Sequence, residues 1–175
     1  MKIKQLSKTR LILDSWGIDV SKFRFLELSE AFENKRFYTE LPRQPLLDSC
    51  EPVSNSNPKQ DFAPVLLAHA RLYVFADKYG IKPLQDLVLQ KLQQTLVRFE
   101  LYPERIKDIL ELVRYTYSDD HTLDNGADEL RVLVAIYMAS RIDKLKKSDY
   151  FLTLMEDGGA FARDFWLIMR NNICI

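Results

Sequence analysis

The run from His69 to Leu84 (His69-Ala70-Arg71-Leu72-Tyr73-Val74-Phe75-Ala76-Asp77-Lys78-Tyr79-Gly80-Ile81-Lys82-Pro83-Leu84) constrains the fold more than any other stretch of the chain. It reads as a helix that stops at a glycine, turns, and starts a second helix at a proline. Leu66, Ala70, Tyr73 and Val74 fall at i, i+4, i+7 and i+8, one stripe of a helix with ~3.6 residues per turn. Gly80 can take the left-handed conformation that closes a helix. Pro83 suits the first turn of the next one, where its missing N–H costs nothing. A helix pair specified this tightly is scaffolding, with no reactive group at its centre.

The same grammar extends along the chain. Phe25, Leu28 and Phe32 recur at i, i+3 and i+7 and predict a helix from Ser21 to about Arg36, with Asp19 or Ser21 as its cap. A short helix over Lys8–Trp16, ended by Gly17, is one reading of residues 1–20. Across 41–60, Pro42, Pro45, Pro52 and Pro58 sit among Ser49, Ser54, Asn55, Ser56 and Asn57, so neither a helix nor a central strand persists there. That stretch is expected to be a poorly ordered linker.

From Asp61, a plausible cap, the pattern is nearly continuous helix. The first long one, with Pro64 in its opening turn, runs to Tyr79. The second spans Pro83–Phe99 with Leu84, Leu87, Val88, Leu92, Leu96 and Phe99 on one face. The third starts at Pro103 and carries Ile106, Ile109, Leu110, Val113 and Tyr117. After a polar loop over 118–126, a fourth covers Ala127–Lys146, with Leu130, Leu133, Val134, Tyr137, Met138 and then Arg141 on its stripe. Ser148 caps a short helix through Met155, and Gly158-Gly159 separates it from a last helix beginning near Ala160. No segment alternates as a half-buried strand does, and the joints are short. The expectation is an all-α fold, a bundle of short antiparallel helices built from residues 61–175. Residues 1–60 form an arm with one helix and a Pro/Ser/Asn-rich linker. Leu87 and Leu133 are expected in the core.

Composition narrows the function. Lys+Arg and Asp+Glu are both 25 in 175 residues, so no global field draws the chain to phosphate backbones or anionic lipid. Nucleic acid is therefore a disfavoured partner, although Arg98, Arg105, Lys107 and Arg114 offer a local basic face for a nucleic-acid-binding regulator. No stretch approaches the ~20 apolar residues that span a bilayer, and Leu11-Ile12-Leu13 is too short for a signal-peptide core. The expected location is intracellular, in cytoplasm or nucleus, with Cys50 and Cys174 as free thiols.

No catalytic constellation emerges. Asp119-Asp120-His121 with Asp124 is the one dense acidic cluster, and a helical metal-dependent enzyme is the rival it suggests. Such chemistry wants a second acidic set facing the first, and none is evident. His69 and His121 lack a serine or cysteine partner. Neither a metal nor a cofactor is expected, and the chain is read as a non-enzyme. Phe161, Phe165, Trp166 and Met169, near the chain end, are the candidate partner-binding residues, for a foreign protein or a second copy. The competing reading packs them on the preceding helices.

An ordered set of segments carries a family resemblance. His69–Ile81 continues as Leu84, Leu87, Leu89-Gln90-Lys91-Leu92 and Thr95-Leu96. Tyr115-Thr116-Tyr117-Ser118 and Glu129-Leu130-Arg131-Val132-Leu133-Val134 follow, and Phe151 to Leu154, Glu156, Gly158-Gly159, Phe161 and Asp164-Phe165 close the series. Together these resemble the carboxy-terminal helical part of fungal BTB/POZ-domain proteins. The resemblance implies a non-catalytic protein–protein interaction module, a degenerate adaptor or scaffold. The strands of the BTB core are not evident, and Tyr38-Thr39-Glu40 lacks the glycine of the family's Tyr-Thr-Gly turn. A cullin-type ubiquitin ligase is thus implied as partner only if such a core lies upstream.

Overall fold

A Schellman turn closes the helix that carries Leu66, Ala70 and Tyr73. Gly80, at φ +66°, donates to the Asp77 carbonyl at 3.0 Å, and Ile81 N–H reaches the Ala76 carbonyl at 2.8 Å. The computed structural model describes residues 25–37, 51–122 and 128–170. Among these it holds eight α-helices and no strand: α1 (Phe25–Asn34), α2 (Ala63–Lys78), α3 (Lys82–Arg98), α4 (Ile106–Thr116), α5 (Glu129–Ser140), α6 (Ile142–Leu145), α7 (Asp149–Glu156) and α8 (Gly159–Arg170), with a 3-10 turn over Pro103–Arg105. The fold is an all-α bundle. The helix expected over Lys8–Trp16, residues 41–50 of the linker, Asp124 and both cysteines lie outside the described residues.

α5 is the axle. Leu130, Leu133, Val134, Ala135, Ile136, Tyr137, Met138 and Ala139 are all buried, so apolar side chains surround it. A helix apolar all round must be enclosed, and α1, α3, α4 and α8 pack against this one. α2 lies outside that ring, held by α3 on one side and α4 on the other. Leu28 and Phe32 of α1 sit in the same core as the helices after residue 61, with the Phe32 and Tyr137 ring centroids 5.5 Å apart.

Three details differ from the sequence expectation. The buried arc of α3 includes Leu89, Gln85, Gln90, Gln93 and Thr95, while Leu87 is only half-buried at its edge. The arc is wide because α3 touches α1 and α5 as well as α2. The helix expected over Ala127–Lys146 breaks at Arg141 (φ −111°, ψ 13°) into α5 and the single turn α6, which sinks Leu145 into the core. The linker residues 51–60 are irregular, as the prolines require, yet they are pinned. Buried Asn55 presents its amide to the chain like a second backbone: Nδ2 donates to the Glu100 carbonyl at 2.8 Å, and Oδ1 accepts from Glu100 N–H at 2.7 Å. Arg98 adds a bond to the Pro52 carbonyl and an ion pair with Glu51, each at 2.8 Å.

Candidate interaction surface

α2 carries two apolar stripes, and only one of them meets the core. Leu66, Ala70, Tyr73 and Ala76 point inward. Val65, Ala68, Leu72, Phe75 and Tyr79 form a second row that steps by three and four residues in alternation, and every member is exposed. At ~100° per residue, this row lies roughly 140° around the helix from the core stripe. Leu72 is 43% exposed, Phe75 48% and Tyr79 62%, which is large for side chains of this size. The rings of Phe75 and Tyr79 lie against each other, centroids 4.6 Å apart, so the lower half of the row is a continuous aromatic surface. Ile81, exposed just past the Schellman turn, prolongs it.

The backbone beneath this row is firmly placed. Asp61 Oδ1 accepts from Ala63 N–H at 3.1 Å, and Asp108 of α4 accepts from Phe62 N–H at 2.9 Å, so the first turn is satisfied by carboxylates. At the far end Asp77 accepts from Gln85 of α3 at 2.8 Å. The one acidic residue inside α2 is thereby turned toward α3. Arg71 and Lys78 border the row, the guanidinium of Arg71 standing 5.9 Å from the centre of the Tyr115 ring on α4. Burial raises the Tyr115 hydroxyl above its ordinary range, and Arg71 opposes that rise. His69 lies on the other border and bonds through Nδ1 to the Val65 carbonyl at 2.9 Å.

The residues singled out near the chain end do not share a surface. Phe161, Phe165 and Met169 are buried, with Phe161 edge-on to Tyr117 and Phe165 edge-on to Phe151. α8 spends that face on α5. Trp166 alone faces outward, 56% exposed. The stripe on α2 escaped the sequence reading because its inner stripe already explained the helix. The signal was present as the three-and-four spacing of 65, 68, 72, 75 and 79.

The other candidates are dispersed. Asp119 and Asp120 are exposed on the turn after α4, and no three His, Cys, Asp or Glu among the described residues gather as metal ligands. Arg98 pairs with Glu51, Arg105 approaches Asp108 at 3.6 Å, and Lys107 covers the Tyr150 ring at 4.4 Å. These three cations are thus engaged by different neighbours, and the fourth, Arg114, is exposed on α4. A cleft of about 690 Å³ between the 3-10 turn and α7 is floored by Leu101, Pro103 and Ile106, and Lys144 on its rim is paired with Glu100 at 2.9 Å. None of the helices is long and apolar enough, among the described residues, to cross a membrane.

A buried polar assembly was also invisible to pattern reading. Arg131, inside the core, donates from Nε to Thr122 Oγ1 at 2.6 Å and from Nη2 to the Thr122 carbonyl at 2.8 Å. Thr122 Oγ1 in turn donates to the Thr116 carbonyl. Tyr117, partly buried, bonds to the Arg131 carbonyl and to Asp164 of α8, and desolvation drives its hydroxyl well above the usual phenol range. This assembly ties the end of α4 to α5 and α8. Its centre, Thr116, Thr122 and Arg131, is buried, while Tyr117 and Asp164 are half-buried at its edge, and the assembly serves the fold. No family model, no curated protein and no solved structure matches this chain.

Proposed function

We propose that the protein is a non-catalytic interaction module, an adaptor or scaffold that docks another protein on the outer face of α2. The observation that carries this reading is the exposed row Val65, Ala68, Leu72, Phe75 and Tyr79. A row of large apolar groups held on a rigid, capped helix marks a contact surface more often than a solvent face. The ordered resemblance to the helical region that follows a BTB core supports the same class of role. Engagement of a cullin-type ligase belongs to this proposal only for a product that carries such a core.

The test compares the full chain with a Leu72→Ser, Phe75→Ser double variant. Both side chains are about half exposed, so the variant should keep its helicity and its unfolding midpoint. Affinity capture under native conditions is then run with both proteins. A partner retained by the parent and lost by the folded variant supports the reading. Identical retention by the two, or retention that follows Trp166→Ala instead, overturns it.

A further inference from the structure

The charges around the α2 stripe say what kind of partner it fits. Arg71 and Lys78 line one border, His69 and buried Ala76 the other, and among the described residues α2 itself places no carboxylate on either border. Asp77 faces α3, Asp61 is used in the first turn, and Lys82 beyond the turn is held by Asp86 at 2.8 Å and Glu129 at 2.7 Å. On α4, Glu111 and Arg114 are both exposed and carry opposite charges. As far as α2 itself supplies charge, the stripe is an apolar seam with one cationic edge.

Its spacing sets the shape of the occupant. Alternating steps of three and four are the seam of helices packed side by side at a shallow angle, each knob entering a hole of the facing helix. From Val65 to Tyr79 the seam runs ~20 Å at 1.5 Å per residue, the length of about four turns. A seam that short is well below the ~800 Å² per partner of a standard stable interface. A second copy of the chain also fits poorly. Antiparallel pairing sets the Arg71/Lys78 edge against its own copy, and parallel pairing sets it against His69 and Ala76. Neither arrangement supplies an acid.

Resting on the interaction reading above, we infer that the seam receives a short amphipathic helix of another protein. That helix carries apolar residues at the same three-and-four spacing and carboxylates along the edge that meets Arg71 and Lys78. Exposed opposite charges of this kind steer and orient the encounter, and they are screened by salt.

The probe is a pair of covalently stapled helical peptides about four turns long. Both bear leucines at alternating three-and-four spacing, one with glutamates and one with lysines along the flanking edges. Binding to the full chain is measured by fluorescence anisotropy, and self-association of the chain by sedimentation. The expected result is micromolar binding of the glutamate peptide, weakened severalfold between low and high salt, and at least ~tenfold weaker binding of the lysine peptide. Phe75→Ser should abolish it. The Arg71→Glu, Lys78→Glu double variant should invert the peptide preference. Equal binding of both peptides, or binding of neither, overturns the inference. Self-association of the chain that Phe75→Ser abolishes also overturns it, by making a second copy the occupant, while leaving the interaction reading intact. Loss of both peptide binding and partner capture removes the two together.

Discussion

At the scale of single residues, the most consequential carboxylate is Asp128. It caps α5 by accepting from Leu130 N–H at 3.0 Å and Arg131 N–H at 3.1 Å. Those bonds pull its pKa down, but burial outweighs them, with Asp77 adding to the rise, and the group is pushed up to about 6. An aspartate in an unfolded chain titrates near ~3.9. Between these values the folded protein holds a proton that the unfolded chain releases. The stability this contributes is therefore complete below about pH 4 and is lost as pH rises through 6. Asparagine caps as well as aspartate and does not titrate. In urea titrations at pH 5 and pH 7, Asp128→Asn should gain on the parent by about 1–3 kcal/mol at the higher pH. A constant gap between the two proteins across that range would mean that the cap bonds dominate after all.

At the scale of elements, α1 shows what side-chain pattern leaves out. Its apolar members Leu28 and Phe32 were legible, and both are in the core. What ends and anchors the helix was not, because the anchors are buried glutamines on another element. Gln93 Nε2 donates to the last carbonyls of α1, Phe32 at 2.6 Å and Glu33 at 3.0 Å. Gln90 bonds to Gln93 at 3.0 Å and accepts from Phe37 N–H at 3.2 Å. Pattern reading puts a glutamine on the solvent side, so it rotated the face of α3 toward Leu87 and away from Leu89. The same limit hid the Arg131 assembly. Local turn chemistry was readable where one residue suffices, as at Gly80, and unreadable where the constraint is tertiary, as at Arg141. The α2 seam lay between these cases: its spacing is local, but its exposure depends on where α3 and α4 pack. Gln93→Ala should cost about 1–3 kcal/mol by leaving buried carbonyls unpaired. Hydrogen–deuterium exchange should localise the loss to residues 25–37. Uniform acceleration throughout the bundle would show that α1 is not a separable consequence of Gln93.

At the scale of the whole molecule, the enclosure of α5 makes the bundle one cooperative unit. α1, α3, α4 and α8 all bury their apolar faces on it, so none can leave without opening the core. Amides of Leu133 to Met138 should exchange only through global unfolding, with a free energy equal to that from denaturant titration, while those of the 51–60 stretch exchange far faster. An α5 segment exchanging well before the denaturant limit would refute a single unit. The outer face of α2 stands apart from this dependence, which leaves it free to bind without disturbing the centre. The packing of α1 on α5 also has a temporal side. During translation at ~5–20 residues per second, on the order of 5–20 s passes between the emergence of Asn34 and of Glu129. Through that interval Leu28 and Phe32 have no α5 to cover them, and the nascent chain presents them to whatever chaperone or neighbouring ribosome product is at hand. α1 is synthesised early and completed late.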